Sequence, residues 1–320
     1  MTLGIAVLGT GRIAGNAFVP AVAKTDGAEM VAVLSRDQAR GEAFAAEHGI
    51  ASAYTDLGQL LADKSVDAVI VASPDALHES QVIAAAEAGA HILCEKPMAM
   101  TLAGCERMGE AVRKAGVSFM MGYTNRFNSG IGKMKELMEA GEIGDVRYAR
   151  VFLTTFANDP NAWRGQSETA RYWAMSASGT HVVDLYRWFF GDPARVGGAL
   201  LSPVHGSAND EIATYVFDYP GKLLAELTVA AIVPTGNRLE LHGDKGAIIG
   251  ENVFGRPEVQ TVTCNGRDYD IAPADSFGAE VAEFVSAIAE GRAPSITLED
   301  GIQNMRIMEA VHDGQTMVEL

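Results

Sequence analysis

Cysteine is scarce in this chain: three in 320 residues, at Cys94, Cys105 and Cys264, an odd number with no metal-type spacing. That argues against a disulfide-stapled scaffold and a cysteine metal site, and it fits a reducing cytoplasm. The histidines show no metal-ligand spacing either, so no metal is expected. Apolar runs are short, and none approaches the roughly 20 residues that cross a bilayer. Positive charge is in deficit: 25 Lys+Arg against 41 Asp+Glu give a net charge of −16. Such a balance speaks against nucleic acid or an anionic membrane as partner. The first residues, MTLGIAVLGTGRIAG, enter an apolar run at once, with no basic n-region or small-residue cleavage site. No export signal is therefore expected, and the location is read as cytoplasmic. Internal repeats and low-complexity linkers are also missing.

What is present is a globular composition, 48% hydrophobic and 21% charged, over a length that suits two domains. Short apolar runs stand at residues 4–8 (GIAVL), 30–34 (MVAVL), 68–72 (AVIVA), 91–94 (HILC) and 117–121 (VSFMM). Nearly unbroken runs of this length read as strands buried on both faces, as in a parallel sheet. Helix-forming segments separate them, among them residues 40–48, 77–88 and 102–114. Repeated βα units imply an α/β fold with a doubly wound parallel sheet over residues 1–122. From residue 123 the pattern changes. Residues 146–155, 212–219, 223–232 and 238–242 read as strands of alternating polarity, with a turn at Tyr219-Pro220-Gly221-Lys222. Residues 123–320 are thus expected to form an α+β domain with an open, mostly antiparallel sheet, closed by helices at 276–290 and 300–312.

The first strand runs into Gly9-Thr10-Gly11-Arg12-Ile13-Ala14, a GxGxxA spacing that opens a helix. Gly9 permits the tight turn, Gly11 lets the backbone approach a pyrophosphate, and Ala14 allows close helix–strand packing. Free amides at the helix start supply the anion site. The string alone is weak; its place between strand and helix makes it a dinucleotide loop rather than a plain turn. The second strand ends on Ser35-Arg36, where an acid would accept bonds from a ribose 2′-hydroxyl. A hydroxyl and a guanidinium suit a 2′-phosphate instead, and Arg40 adds a second positive charge. NADP(H) is favoured on this ground. NAD(H) remains possible because Asp37 stands close enough to take the ribose role.

The stretch HILCEKPMA asks why a buried strand should stop on Glu95-Lys96-Pro97. Charge at a buried strand end is costly unless it has a task. Taken with SPDALH (residues 73–78), GYTNRFN (122–128), EAGEIGDV (139–146), GTHVVDLYRWFFG (179–191) and HGDKGAIIG (242–250), this element resembles the glucose–fructose oxidoreductase/inositol dehydrogenase/MocA (Gfo/Idh/MocA) family along nearly the whole chain. The resemblance implies a Rossmann domain followed by an open-sheet domain. It implies hydride transfer between a nicotinamide and a sugar, keto sugar or polyol.

The resemblance also assigns residues. It implies that Lys96 polarises a substrate oxygen, that Glu95 holds the lysine or the cofactor amide, and that the Lys96–Pro97 bond is cis. His181 matches a catalytic histidine whose ordinary pKa suits proton transfer, and Asp184 matches a family acid one turn on. Ser73, Pro74 and His78 match a cofactor-lining loop. Tyr123, Asn125 and Arg126 open the second domain toward the nicotinamide side, with Asn125 on the cofactor and Tyr123 and Arg126 on the substrate. Trp163 and Arg164 match a pair near substrate and cofactor, and Tyr172 offers an aromatic lining. Many members carry an Asp four residues before the histidine, after glycines. Here Ala177 stands in that place and Tyr172-Trp173-Ala174-Met175 replaces the glycines, which puts an inositol substrate in doubt. The proton then falls to Lys96 with His181, or with a tyrosine such as Tyr172. The Ser35-Arg36 tip and the stretch GDKGAIIGENVF are similar to NADP-dependent reductases of anhydro-keto sugars within the family. Two rivals remain: a glycosidase that uses bound NAD transiently, and a non-catalytic dinucleotide sensor. The family's open sheet implies a homodimer or homotetramer.

Overall fold

A computed structural model of the chain describes residues 2–157, 159, 161–255, 259–312 and 317–320. It divides into two compact units, Met1–Tyr123 with Phe277–Ile302, and Thr124–Ser276 with Gln303–Leu320. A single boundary after residue 122 therefore leaves out one feature: residues 277–302 return to the first unit, and the division falls inside the last helix, Leu298–His312. That return was invisible in the sequence because both terminal helices carry ordinary amphipathic patterns.

The first unit is a six-stranded parallel sheet. Its strands are β1 (Leu3–Leu8), β2 (Ala28–Leu34), β3 (Ser52–Tyr54), β4 (Ala68–Val71), β5 (His91–Glu95) and β6 (Phe119–Gly122). Their order is β3-β2-β1-β4-β5-β6, the doubly wound order with its switch point between β1 and β4. Ile5, Val7, Leu8, Val69, Ile70 and Leu93 are fully buried. Each such side chain contributes about 1.5–3 kcal/mol by leaving water. β3 was missed because it is a short edge strand with no fully buried residue. Helices Gln38–His48, Asp75–Glu87 and Leu102–Ala115 cover the faces. The returning segment is held by Met121 N–H donating to Ile296 O (3.2 Å) and by an edge-to-face contact of Phe277 with Phe18, 5.3 Å between centroids.

The second unit is built on a nine-stranded sheet. Its strands are β7 (Val146–Phe156), β8 (Arg195–Leu201), β9 (Ile212–Tyr219), β10 (Leu223–Ala230), β11 (Ile232–Gly243), β12 (Gly246–Glu251), β13 (Thr261–Cys264), β14 (Arg267–Asp270) and β15 (Val318–Glu319). The order is β14-β13-β12-β11-β7-β10-β9-β8-β15. Every pairing is antiparallel except β7 with β10. β9 alternates strictly between buried and half-buried residues, as a sheet covered on one face must. Helices Ser129–Glu139 and Thr180–Phe190 belong to this unit. A π-turn, Met175–Gly179, leads directly into the second of them. No helix among the described residues is long and apolar enough to cross a membrane.

Candidate functional site

In the first unit the chemistry-bearing residues follow the carboxyl ends of parallel strands, where α/β sheets bind ligands. Gly9 turns the chain at φ +124°, and its N–H donates to Leu34 O (3.0 Å). A Cβ there would stand 2.8 Å from Ala72 O, so only glycine fits. Gly11 is different: nothing lies within 4 Å of where its Cβ would be. No protein packing demands that glycine, and the open space above it suits a bound group. Thr10 is half-buried, Arg12 and Ile13 are exposed, helical backbone begins at Arg12, and among the described residues no side chain bonds the Arg12 or Ile13 amide. The amides that would meet a pyrophosphate are thus uncapped, and the loop fits a dinucleotide.

The second strand tip is built around Ser35. Its N–H donates to Tyr54 O (2.9 Å) and its Oγ accepts the Asp37 N–H (3.3 Å). Arg36 is exposed. Arg40 donates from Nη2 to Thr10 O (3.1 Å), which brings its guanidinium onto the glycine loop. Asp37 accepts the Arg40 N–H (2.7 Å) and so caps helix Gln38–His48.

Next to the switch point, Ser73 and Pro74 are half-buried, and Ser73 Oγ donates to Gln81 Oε1 (2.7 Å). His78 is 1% exposed, and its ring spans two loops, with Nδ1 2.9 Å from Pro97 O and Nε2 3.0 Å from Ser73 O. It acts as a tie between the loops rather than as a side chain lining them. Lys96 is the one partly exposed residue between Ile92 and Ala99. Its N–H donates to Glu95 Oε2 (3.1 Å), Glu95 is buried, and the Lys96–Pro97 bond is cis. Burial raises the thiol pKa of the neighbouring Cys94 well above its ordinary value.

In the second unit the run from Tyr172 to Tyr186 is buried except at Ala177 and His181. Four residues apart, these two share the face that opens outward. Asp184, on the same helix, is fully buried and takes a bidentate pair from Arg126, 2.9 Å from Nε and 2.6 Å from Nη2. Both carboxylate oxygens thereby accept from Arg126 within the second unit. Tyr172 is also core: it is 1% exposed and its hydroxyl donates to Met308 O (3.4 Å), a carbonyl that Tyr215 also uses (2.9 Å). Trp163 carries the Arg164 guanidinium 4.1 Å from its ring centroid. Tyr123 and Asn125 are buried where the chain passes from one unit to the other.

Three residues that the sequence reading missed organise the second unit. Asn209 Nδ2 donates to Arg164 O (2.7 Å) and Ala170 O (2.9 Å). Asp210 accepts the amides of Trp173 and Met175, each at 2.8 Å. Glu211 accepts those of Val204 (2.7 Å), His205 (2.9 Å) and Ser207 (3.3 Å). Burial pushes the Asp210 carboxyl up to about 7, against the amide bonds that lower it. Burial also raises Glu211, but its amides outweigh that and hold it below the ordinary range. A polar run before a strand looks like any loop, so the sequence offered no signal for them.

Sheet order, glycine turn and uncapped helix start define a dinucleotide-binding α/β protein. Comparison with known proteins makes this specific. A family profile described as oxidoreductase family, NAD-binding Rossmann fold, matches residues 3–123, and the GFO/IDH/MocA C-terminal domain matches residues 131–249. The chain is 31% identical to a 1,5-anhydro-D-fructose reductase of Ensifer adhaerens, over 97% of this chain and 96% of the relative. It is 29% identical to a scyllo-inositol 2-dehydrogenase (NADP(+)) of Bacillus subtilis (strain 168), over 95% and 94%. Its fold matches the aldose-aldose oxidoreductase of Caulobacter crescentus complexed with glycerol, at TM-score 0.92 and 26% identity over the whole of both chains. The chain belongs to the Gfo/Idh/MocA family of oxidoreductases. It is an enzyme, an NAD(P)-dependent dehydrogenase or reductase.

Proposed function

We propose that this enzyme prefers NADP(H) and moves a hydride between the nicotinamide and a carbonyl or hydroxyl of a sugar, keto sugar or polyol. The observation that carries the reading is Lys96, the one opened side chain in an otherwise buried turn at the carboxyl end of β5. Gly9, Gly11 and the amides of Arg12 and Ile13 would hold the pyrophosphate; Ser35, Arg36 and Arg40 would hold a 2′-phosphate. The nicotinamide, when bound, supplies or accepts the hydride. Lys96 sets its ammonium against the substrate oxygen, where it is worth more on a developing alkoxide than on a carbonyl. His181 gives the proton to that oxygen and takes it back in the oxidation. With its hydroxyl turned into the core, Tyr172 is a poorer proton carrier than His181. The 1,5-anhydro-D-fructose reductase among the relatives supports a keto sugar as substrate. Exposed Phe152 and Leu224 share the open face of the second sheet, which supports pairing with a second copy of the chain.

Titration with NADPH and NADH, followed by a panel of keto sugars and, with oxidised cofactor, polyols, tests this reading. The expected result is tighter NADPH binding and consumption of NADPH with a sugar carbonyl. Lys96→Ala should keep NADPH affinity and lose about 100-fold or more in kcat. Full activity in that variant would sink the mechanism. Tight binding without turnover would point to a sensor, and glycoside cleavage without net redox change to a glycosidase.

A further inference from the structure

We infer that Asp210 is the positioning residue of the helix that carries His181. The inference rests on the proposed chemistry only in giving His181 a proton to move. Three successive amides lead into that helix, and all three end on Asp210. Trp173 N–H donates to Oδ1 (2.8 Å), Met175 N–H to Oδ2 (2.8 Å), and Ala174 N–H to the Asp210 backbone carbonyl (2.9 Å). The π-turn Met175–Gly179 and then His181 follow at once. A helix leaves its first amides without partners inside the helix, and here a residue 35 positions away supplies them.

The segment so held, Tyr172-Trp173-Ala174-Met175, is buried throughout, and its backbone is pinned from outside by Asp210. Asp210 is 5% exposed and borders a cavity of about 120 Å³ that Arg171, Ser202, Asn209 and His312 also line. The titratable and charged groups facing it are Arg171, itself paired with Glu309 (2.6 Å), His312, and Tyr215.

Burial holds the Asp210 carboxyl up at about 7, whereas opening the clamp would return it to the ordinary value of about 3.9. A raised value in the closed state means that the clamp is tightest below about 4 and loosens as the pH rises toward 7. Hydrogen exchange of the amides of residues 173–175, corrected for intrinsic rate, reads this directly. Protection should fall between about pH 4 and pH 7 in the wild type and run flat above. In Asp210→Asn it should be lower by about tenfold and lack the step. In the same variant kcat/KM should fall about tenfold to 100-fold while the Kd for NADPH stays within about twofold. Asp210→Glu, which keeps the carboxyl, should restore the pH step. Should Asp210→Asn fail to fold, the wild-type pH dependence decides alone. Flat protection across that range, or protection and kcat/KM unchanged by Asp210→Asn, overturns the inference. Absence of turnover with every carbonyl would remove the proposed function but leave the exchange result standing.

Discussion

The two units hold their functional residues by opposite means. In the first, backbone does most of the holding. Gly9 N–H meets Leu34 O, Arg40 meets Thr10 O, and the His78 ring lies between Pro97 O and Ser73 O. In the second, carboxylates do it. Asp184 takes Arg126, Asp210 takes two amides with its side chain, and Glu211 takes three. A loop made from backbone tolerates many side chains but no misplaced Cβ. A wall made from buried charges tolerates backbone drift but not the loss of one partner. The first arrangement suits a ligand of fixed shape; the second leaves room to vary a substrate site by changing a few side chains.

The largest effect expected from breaking this contrast is Arg126→Ala. Arg126 and Asp184 side chains are 10% and 1% exposed, so removing the cation strands a buried carboxylate. The loss should be about 3–5 kcal/mol. Urea denaturation followed by tryptophan emission reads it, since Trp188 lies under the Arg126 guanidinium at 5.9 Å. The double variant Arg126→Met with Asp184→Leu should recover most of the loss, because it leaves no stranded charge. A single-variant loss below about 1 kcal/mol would show that charge pairing does not hold the second unit together.

Gly9→Ala is the matching break in the first unit. At φ +124° with Ala72 O at 2.8 Å, the added methyl meets both backbone strain and a collision with backbone. About 1–3 kcal/mol should be lost, with weaker binding of both NADPH and NADH. Gly11→Ala, where nothing stands within 4 Å, should leave stability unchanged yet weaken both cofactors. Unaltered cofactor affinity in Gly11→Ala would show that the open space above it is not the dinucleotide cradle.

How much was legible follows the same contrast. Strands β1, β4, β5 and β6 are buried on both faces, so apolar runs announced them to within two residues. The glycine loop was legible because glycine is the residue that backbone sites demand. The second unit gave its alternating strands, β9 to the residue, but the reversal between β10 and β11 was missed: the reading carried the first strand on to Ile232 and began the next at residue 238, whereas β10 ends at Ala230 and β11 begins at Ile232. The apolar run LTVAAIV continues through that reversal, so nothing in polarity marks it. The buried carboxylates were illegible for a related reason. Acids in a sequence look solvated, and Asp210 differs from an exposed acid only by partners 35 or more residues away. Asp184 could be placed on its helix, but not against Arg126, 58 residues distant.

Cofactor preference gives a smaller effect, and it sharpens the role of the second strand tip. Arg36→Ala with Arg40→Ala should weaken NADPH about tenfold and leave NADH nearly unchanged, read by nicotinamide fluorescence. Equal weakening of both cofactors would mean that the guanidiniums serve the pyrophosphate or the adenine rather than a 2′-phosphate.

The smallest effect separates two roles for Asp37. Its carboxylate accepts the Arg40 N–H at 2.7 Å and starts helix Gln38–His48, a task that Ser, Thr, Asn and Asp perform by the same geometry. A capping role predicts that Asp37→Ala loses about 1 kcal/mol and Asp37→Ser much less, with the NADPH/NADH affinity ratio unmoved by either. A ribose-binding role predicts that both variants weaken NADH selectively, because serine restores the cap but not the acid. Asp37→Ser therefore decides between them: stability near wild type with NADH affinity intact assigns the residue to the helix, and selective loss of NADH assigns it to the cofactor. The cap is the expected answer, since the carboxylate is already aimed at the amide of the residue whose guanidinium reaches the glycine loop.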